Sequence, residues 1–575
     1  MKRDILFFIL LISGLIAVYS NSLQFDFTNL DDQVQVVNNT AIRSLNWENL
    51  RTIFSSTSVG MYQPFTTLLY ALAYQLDSLN PYAFSVFSLA FHVLNCSLIF
   101  ILLKKLQVDT IARYFLVALF AFHPMQVESV VWVSAFSTLV FTFFYILSFT
   151  SFIESEQHNS KKSYWLSLFL FLLACFSKSM AITLPVILTL YLIIKKPIKE
   201  INWVKLVPYY LISIVFGLIT IFSREAAGHL SDLSVQFNWF DRIFLISYSV
   251  LFYPFKFLFP LELSVFYPYP ELNNGALPWI YYVSLPALLG LFILIWKYRK
   301  NSFILFGAGF YLISIALVLQ IIPVGNQLTT DRYIYLPLVG LLIILAHLIK
   351  NIKPSITYLL LIIPVLLAFK SHNRTAIWEN DGLIWEDVIE QYPKVAQAHN
   401  NLGSYLLTKN QQNAAFKEFN LAIKQKPYYA DAYSNRGNLL AQQGKIQEAI
   451  ADFNKAIELR PHADAYFNRA NIYAQQDQLQ QAIADYSESL ALKKSADTYT
   501  NRAFAYLKIN SPKQALSDLN KALAIKPNFS RAYFLMGMSY QFEQQPAKAC
   551  SAFQRASALG SQNAKAAYRD YCLNQ

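Results

Sequence analysis

Two adjacent carboxylates, Asp31 and Asp32, lie in a short segment that follows the first apolar stretch of the chain. The segment, residues 23–33, is otherwise made mainly of apolar, aromatic and amide side chains. Burial or a neighbouring cation changes the pKa of a carboxyl group, and a catalytic base requires such a changed pKa. The pair is therefore the first candidate for a general base, with a solvated acidic turn as the alternative.

Three further segments contain side chains suited to holding a phosphate or a polar substrate. His123 and Glu128 lie between two apolar runs, where they could bind a metal ion, steer a phosphate or hold an acceptor. Arg332 opens another apolar run, and its guanidinium geometry matches phosphate oxygens. Lys178 lies at a similar apolar boundary. The alternatives are an ordinary polar turn for His123–Glu128 and snorkelling to lipid headgroups for Arg332 and Lys178.

The composition of the chain divides it into a membrane part and a soluble part. Of its 575 residues, 55% are hydrophobic and only 14% are charged, against roughly 25% charged in an ordinary soluble protein. Long apolar runs end near residue 370, and an Ala-, Gln-, Asn- and Lys-rich pattern follows. The net charge of +12 comes partly from Lys and Arg in short loops between apolar runs, where they set membrane orientation. Nucleic acid is therefore not an expected partner.

The apolar runs predict about eleven membrane spans and an external soluble domain. Treating residues 243–259 as a re-entrant or interfacial segment keeps the Lys- and Arg-rich loops on the cytoplasmic side. With a retained N-terminal anchor, the odd number of spans places the C-terminal part and Asp31–Asp32 on the same extracytoplasmic side, periplasm or lumen. The predicted spans are 5–19, 82–103, 111–124, 130–152, 164–177, 180–194, 203–222, 279–296, 302–322, 334–349 and 355–370.

The soluble part carries an internal repeat. Pro393, Pro427 and Pro461 recur at the 34-residue period of tetratricopeptide repeats, which are pairs of helices. We predict a linker over 371–395, about five repeats over 396–563 and a capping helix over 564–575 that shields the last repeat. The fold class is therefore all-α: a polytopic bundle followed by an α-solenoid.

One asparagine recurs at the same position of successive first helices in the repeats. Because an amide both donates and accepts, a ladder of amides can bind the backbone of an extended peptide. This series resembles the asparagine ladder of the cytosolic O-linked N-acetylglucosamine transferase. Packing between helices is the equally weighted alternative. Cys550 and Cys572, also in this part, could pair only in an oxidising compartment. The ladder residues are Asn401, Asn435, Asn468 and Asn501.

The order of motifs resembles the transmembrane and tetratricopeptide repeat-containing O-mannosyltransferases, which have the GT-C fold. The motifs that carry this resemblance are Phe27-Thr-Asn-Leu-Asp-Asp32, Tyr62-Gln-Pro-Phe-Thr-Thr67, Phe122-His-Pro-Met-Gln-Val-Glu128, Ser177-Lys-Ser179 and Asp331-Arg-Tyr-Ile-Tyr-Leu-Pro337. The resemblance implies an inverting transfer of a sugar, mannose-like, from a polyprenyl-phosphate donor in the membrane lipid to a Ser or Thr hydroxyl of an extracytoplasmic protein acceptor. It implies Asp31 or Asp32 as the base, and it places His123, Glu128 and Arg332 on family motifs.

The chain departs from the family pattern in three motifs that carry charges in the family. Gln63 stands where the family has Arg in Tyr-Arg-Pro, Ser134–Ser137 stands where it has Gly-Arg-Ala-Asp, and Ser179 replaces Glu after Lys178. Two alternatives follow: transfer to a lipid or a surface glycan, and an inactive membrane scaffold that recruits partners through its repeats. No cofactor is firmly implied, and a divalent metal ion is one alternative for holding the phosphate.

Overall fold

The computed structural model describes residues 2–226, 237–321 and 327–573, which form two compact units. The first unit comprises Met1–Tyr392 and the second Pro393–Gln575. Residues 227–236, which follow the predicted span 203–222, lie outside the described residues. Both units are built almost entirely of helices.

The first unit contains seventeen described α-helices together with short 3-10 and π turns. The helices are α1 Lys2–Tyr19, α2 Trp47–Ser55, α3 Pro64–Asp77, α4 Pro81–Lys105, α5 Thr110–Ala121, α6 Val127–Val131, α7 Phe136–His158, α8 Lys161–Ser177, α9 Leu184–Lys195, α10 Val207–Ala226, α11 Trp239–Leu258, α12 Trp279–Lys297, α13 Ser302–Ile315, α14 Leu338–Leu348, α15 Pro354–Leu360, α16 Ile362–Thr375 and α17 Asp381–Gln391.

Local sequence explains where the long apolar helices begin and end. Asn80 caps α4 by accepting a hydrogen bond from the Tyr82 amide (3.1 Å), and Pro81 occupies the first helical turn, where its missing N–H costs nothing. Between α7 and α8, Asn159 adopts the left-handed conformation with φ 47°. Ser160 then caps α8. These signals join two long apolar helices through a tight turn.

Only some of the predicted spans have the length and hydropathy of a full span. Among the described residues, five helices are long and apolar enough to cross a membrane, or six if the bent pair Thr110–Ala121 and Pro124–Val131 is one span. Three further apolar helices are shorter: Ser179–Lys195, Ser302–Val318 and Leu338–Leu348. The first unit therefore has the composition of a membrane domain, and the count of eleven spans stays a prediction.

Two segments are helical. Most of residues 243–259, expected to be re-entrant or interfacial, lies in the continuous helix α11, which has Pro254 inside it and ends at Leu258. A continuous helix fits the interfacial alternative, and among the described residues α11 is not one of the helices long and apolar enough to cross a membrane. Residues 371–392, expected to be a linker, are helical and belong to the first unit. Burial of Trp378 and Trp385 explains this packing, because ordering a segment is favourable when it removes large apolar side chains from water.

A small antiparallel pairing is the one sheet among the described residues. Strand β1, Tyr267–Pro268, pairs with β2, Gln327–Thr329, and Tyr267 is opposite Thr329. The pairing brings Tyr267 beside Asp331, whose Oδ1 accepts a hydrogen bond from the Tyr267 hydroxyl (2.8 Å).

The second unit is a series of helix pairs with a short terminal helix. It contains α18 Ala396–Thr408, α19 Gln412–Gln425, α20 Ala430–Gln442, α21 Ile446–Leu459, α22 Ala463–Gln475, α23 Leu479–Leu492, α24 Ala496–Lys508, α25 Pro512–Ile525, α26 Ser530–Phe542, α27 Pro546–Ala558 and α28 Gln562–Tyr568.

Close packing within each pair explains a recurring small residue in the first helices. A Cβ atom at Gly403 would lie 2.7 Å from the Phe419 ring, and one at Gly437 would lie 2.9 Å from the Phe453 ring. A larger residue at either position would force the two helices apart. After the last pair, a disulfide joins Cys550 of α27 to Cys572 across 22 residues and ties the short helical turn after α28, Arg569–Leu573, to α27.

A buried ion pair also repeats within the second unit. Each arginine that follows a ladder asparagine forms a two-pronged pair with an aspartate of the next helix, the geometry that a guanidinium and a carboxylate favour. These pairs are Arg436–Asp452 (2.8 and 2.7 Å), Arg469–Asp485 (2.7 and 2.7 Å) and Arg502–Asp518 (2.7 and 2.8 Å).

Candidate functional site

Asp32 is buried and its carboxylate is fully engaged. Its Oδ2 accepts hydrogen bonds from the backbone N–H and the hydroxyl of Thr28, both at 2.9 Å. Its Oδ1 accepts from the backbone N–H of Ser134 at 2.9 Å and from the Ser134 hydroxyl. Burial raises the pKa of Asp32, and these four hydrogen bonds oppose that rise. The carboxylate therefore fastens the first loop to the turn before α7.

Asp31 is half-buried and begins a short helical turn. Its backbone carbonyl accepts hydrogen bonds from the amides of Val34 (3.1 Å) and Gln35 (2.9 Å). Its carboxylate acts electrostatically on Arg332. Asp31 is thus the more exposed member of the pair, which solvent and a substrate can reach.

Glu128 and Arg332 form a buried ion pair between distant parts of the first unit. Glu128 Oε2 accepts from the backbone N–H of Arg332 at 2.9 Å, and Oε1 accepts from its guanidinium. The guanidinium also lies over the Trp132 ring, 4.9 Å from its centroid. Burial alone would lower the pKa of Arg332, but the charges of Glu128, Tyr333 and Asp31 raise it. Arg332 is therefore a permanent cation with a fixed position.

Lys178 lies between α8 and the helical turn that precedes α9. Its ammonium donates a hydrogen bond to the Thr138 hydroxyl (2.7 Å) and lies 5.9 Å from the centre of the Phe141 ring. Burial and the charge of Arg332 lower the pKa of Lys178 to about 7, although Glu128 opposes this shift. A lysine of this kind gains a full charge when an anion binds beside it.

The charges of four residues therefore act on one another within the first unit. Lys178 is influenced by Arg332 and Glu128, and Arg332 by Asp31. The sequence analysis had not named a further cation, Arg224, whose charge also acts on Lys178. The arrangement combines one reachable carboxylate with cations that can neutralise a phosphate.

His123 does not occupy the open position that the sequence suggested. Its side chain is buried, its Nε2 lies 3.1 Å from the Phe257 carbonyl, and its Nδ1 accepts from the Met125 amide (3.3 Å). Both ring nitrogens are thus engaged in holding the turn between α5 and α6. A buried ring with both nitrogens engaged offers none to a ligand. His123 is therefore placed to hold this turn.

The described residues contain no group of three or more His, Cys, Asp or Glu side chains that could hold a metal ion. The two carboxylates best placed for a ligand role, Asp32 and Glu128, already bind Ser134, Thr28 and Arg332. This donor set fits a metal ion poorly, so no metal ion enters the proposed reaction.

The predicted asparagine ladder is half-buried at all four positions. Asn435 donates to Asn400 Oδ1 (2.9 Å), and Asn400 donates to Asn401 Oδ1 (3.2 Å). Asn501 donates to Asn471 Oδ1 (2.9 Å). Asn468 has the same half-buried placement on α22. Asn435 and Asn501 therefore each donate one N–H to the preceding repeat, as the packing alternative expected. The remaining polar atoms of these two side chains are not used in those two bonds.

A cavity of about 300 Å³ lies among the third, fourth and fifth helix pairs. Asn501 lines it, and its buried Oδ1 has no hydrogen-bond partner among the described residues. The other lining residues include acidic Asp464 and Asp497 and basic Lys493 and Arg531. The cavity offers an unused acceptor and both signs of charge to a polypeptide.

Two important partners had been missed by the sequence analysis. Ser134 had been noted only as a departure from a family motif, and Thr28 only as part of one. A polar residue inside the apolar stretch 130–136 was the available signal for Ser134. Nothing local links it to Asp32, because the two residues are 102 positions apart.

Most of the chain is similar to proteins of known name. Over 449 residues it is 25% identical to the "Protein O-mannosyl-transferase F38B6.6" of Caenorhabditis elegans, covering 72% of this chain and 62% of that protein. The chain is a relative of the protein O-mannosyl-transferases. The resemblance predicted from its motifs is therefore confirmed.

A human protein that is also named a protein O-mannosyl-transferase supports this relationship. The "Protein O-mannosyl-transferase TMTC3" of Homo sapiens is 23% identical over 472 residues, 72% of this chain and 50% of that protein. The chain thus spans less than two thirds of the length of either of these two relatives.

The second unit of this O-mannosyl-transferase relative matches tetratricopeptide repeat models at residues 430–462, 463–495 and 496–529. Solved structures with similar folds include that of MamA, at 25% identity, covering 28% of this chain and 97% of that one with a TM-score of 0.26. Another is YrrB, described as a TPR protein with an unusual peptide-binding site. It is 18% identical, covers 32% of this chain and 97% of that one, and has a TM-score of 0.29. The family models confirm tetratricopeptide repeats over 430–529, and the count of about five over 396–563 stays a prediction.

Proposed function

We propose that the protein is an inverting membrane glycosyltransferase that moves a mannose-like sugar from a polyprenyl-phosphate donor to a Ser or Thr hydroxyl of a protein acceptor. The observation that carries this proposal is the placement of Asp31, half-buried, where its charge acts on Arg332. Relatives named protein O-mannosyl-transferases support the same reaction class.

Asp31 is the proposed base because Asp32 is already saturated. All the hydrogen bonds that Asp32 accepts come from Thr28 and Ser134, and it is 1% exposed. A base must reach the proton that it removes. Asp32 instead holds the loop, so that Asp31 keeps a fixed position.

The reaction proceeds in one displacement. The Asp31 carboxylate takes the proton of the acceptor hydroxyl, and the hydroxyl oxygen attacks the anomeric carbon from the face opposite the phosphate. The bond between that carbon and the phosphate oxygen breaks with its electron pair, and polyprenyl phosphate leaves. The configuration at the anomeric carbon inverts because attack and departure occur on opposite faces.

Arg332 and Lys178 are the proposed binding groups for the donor phosphate. The Glu128 carboxylate fixes the guanidinium, and Lys178 has a pKa near 7. Charge that builds on the leaving phosphate is stabilised by fixed cations more than by mobile water. The polyprenyl chain would lie in the lipid beside the apolar helices of the first unit.

The repeats are proposed to recruit the protein acceptor on the extracytoplasmic side. The disulfide between Cys550 and Cys572 supports that side, because disulfides persist in oxidising compartments. The cavity lined by Asn501 supports polypeptide binding in this part of the chain.

Transfer by the full chain in membranes tests the proposal. The assay supplies polyprenyl-phosphate mannose with a labelled sugar and a Ser/Thr-rich peptide, and it measures label on the peptide. Asp31→Asn is expected to lower the rate by about 10²–10⁴-fold, the usual contribution of a general base. Asp26→Asn is the matched control, since Asp26 is an exposed acid of the same loop.

Three results would overturn parts of the proposal. Unchanged transfer in a folded Asp31→Asn variant would remove the base assignment. Label on lipid or glycan, but never on peptide, would establish the alternative acceptor class. The absence of any transfer, together with partner binding that needs only the repeats, would establish a scaffold.

A further inference from the structure

A second cavity lies in the first loop of the chain, between the first and second long apolar segments. Its volume is about 280 Å³. The lining residues come from the short helical turns after Asp31, from α2 and from the start of α3. They are Val34, Asn38, Asn39, Thr40, Ala41, Ile53, Ser56, Thr57, Ser58, Val59, Met61, Gln63, Pro64 and Thr67.

The lining is polar and uncharged. None of the described residues that line the cavity carries an ionisable side chain; amides and hydroxyls alternate with a few apolar groups. A phosphate requires cations or strong donors, and the cations Lys178 and Arg332 do not line this cavity. Its chemistry therefore suits an uncharged ligand with hydroxyl or peptide groups.

Gln63 contributes an unused acceptor to this cavity. The side chain is only 4% exposed, and its amide nitrogen donates to Gln35 Oε1 (3.1 Å). Its Oε1 is buried and has no hydrogen-bond partner among residues 2–226, 237–321 and 327–573. A buried acceptor without a donor costs roughly 1–3 kcal/mol. A ligand N–H or O–H would remove that cost.

The opposite wall contains a strained turn. Ser58 and Met61 exchange two backbone hydrogen bonds (3.0 and 2.9 Å), and Val59 between them has a φ of 51°. A β-branched residue in this left-handed region costs about 1–3 kcal/mol, and such residues cluster at ligand clamps. The turn therefore holds the wall of the cavity in a shape that local sequence disfavours.

The cavity is structurally continuous with the proposed base. Val34, which lines it, donates its backbone N–H to the Asp31 carbonyl (3.1 Å). The mouth is formed by the exposed side chains of Asn38, Ser56 and Thr57. A chain that enters here would be held within the loop that carries Asp31.

We propose that this cavity binds the Ser/Thr-bearing peptide segment of the acceptor, with Gln63 Oε1 accepting a hydrogen bond from a peptide N–H or a hydroxyl. The inference rests on the proposed function and adds to it the place where the acceptor enters. A peptide fits better than the donor sugar, because the sugar is attached to a phosphate that the cationic residues bind elsewhere.

Protection of an introduced thiol tests this site without any donor. Thr57→Cys places a thiol at the mouth of the cavity in the full chain, and Gln24→Cys places one at an exposed position outside it. The native thiols Cys96 and Cys175 are buried, and Cys550 and Cys572 are paired. The rate of maleimide labelling is measured with a Ser/Thr-rich peptide, with the same peptide carrying Ala at each Ser and Thr, and with free mannose.

The Ser/Thr-rich peptide is expected to slow labelling of Thr57→Cys and to leave Gln24→Cys unchanged, while the Ala peptide and mannose protect less. Adding Gln63→Leu is expected to raise the half-protecting peptide concentration about tenfold, the loss of one buried hydrogen bond. Asn38→Leu removes a polar side chain at an exposed lining position. It therefore tests the loss of one hydrogen bond to the peptide with less risk to folding.

Two outcomes would overturn the site. One is labelling of Thr57→Cys that no peptide slows, and the other is protection by mannose equal to that by the peptide. Peptide protection in a chain that transfers no sugar would instead contradict the proposed reaction and leave the site standing. Transfer to peptide without protection would contradict the site alone.

Discussion

The Asp32 carboxylate binds both the backbone N–H and the hydroxyl of Ser134, which lies 102 positions later in the chain. The same carboxylate binds the amide and the hydroxyl of Thr28. One buried side chain thus connects the first loop to the start of α7. This connection separates two adjacent aspartates into a structural one and a reachable one.

The first prediction concerns the stability that this connection supplies. Asp32→Asn replaces one of two acceptor oxygens by a donor that faces N–H groups, so it leaves buried groups unsatisfied. We expect the free energy of unfolding to fall by about 1–3 kcal/mol. Asp31→Asn should lower the free energy of unfolding less, because that side chain is only half-buried. Thermal unfolding of the purified full chain measures both, and equal losses would contradict the division of roles.

The second prediction concerns the pH dependence of donor use. Because the pKa of Lys178 is about 7, the free protein loses its ammonium charge as pH rises through that value. Phosphate binding favours the charged form, so binding above that pH must take up a proton. We expect kcat/KM for the donor to fall as pH rises above about 7.

Lys178→Arg provides the matched control for this pH effect. Arginine keeps its charge throughout this pH range, so the fall attributed to Lys178 should disappear even if the rate is lower overall. A profile that is identical in the wild type and in Lys178→Arg would show that another group titrates.

The third prediction concerns the ion pair between Glu128 and Arg332. The carboxylate side chain is 3% exposed and the arginine side chain 16%. Removing one partner of a buried pair leaves the other charge uncompensated, at a cost of about 3–5 kcal/mol. Glu128→Gln should therefore lower the thermal unfolding temperature clearly.

Glu154→Gln is the control for the same measurement. Glu154 pairs with Lys105 in the same unit, but its side chain is 44% exposed. Surface pairs contribute about 0–1 kcal/mol. If Glu154→Gln destabilised the chain as much as Glu128→Gln, the buried pair would have no special role.

The fourth prediction concerns peptide recruitment by the repeats. Asn501 lines a cavity and carries a buried oxygen that has no partner among the described residues. Asn501→Ala removes that acceptor, and we expect the affinity for a protein acceptor to fall about tenfold. Gln480→Ala, at an exposed position of α23, should have no effect. Equilibrium binding of a labelled unfolded acceptor to the full chain measures both.

The fifth prediction concerns the side of the membrane that the repeats face. Cys550→Ser leaves Cys572 without its disulfide partner. In sealed membrane vesicles of known orientation, a membrane-impermeant maleimide should then label Cys572 only where the periplasmic or lumenal face is outward, whereas the wild type should stay unlabelled until it is reduced. Labelling of the variant only where the cytoplasmic face is outward would place the repeats on the cytoplasmic side.

Local sequence was sufficient for the parts of the protein that depend on periodicity and composition. Apolar runs indicated the membrane part, and the spacing of Pro393, Pro427 and Pro461 indicated the helix pairs. Both patterns are repeated along the chain, so they can be read without knowing which residues meet. The ordered motifs likewise led to the O-mannosyl-transferase relatives that the comparisons found.

The count of eleven membrane spans, which was inferred from the same patterns, stays a prediction. Several apolar runs fold into helices shorter than a full span, such as Leu338–Leu348. Residues near Trp378 and Trp385 looked like a linker but pack into the first unit. Packing against distant helices decided these cases, and hydropathy carries no information about it.

By itself, the sequence determined the two-part organisation, the repeats and the candidate residues. Only the tertiary structure decided which candidates are enclosed or paired: Asp32 is bound by Ser134, His123 is buried, and Glu128 is paired with Arg332, 204 positions away. The physical reason is that burial and hydrogen bonding saturate a polar side chain. Its partners are chosen by the fold, at distances along the chain that no local pattern records.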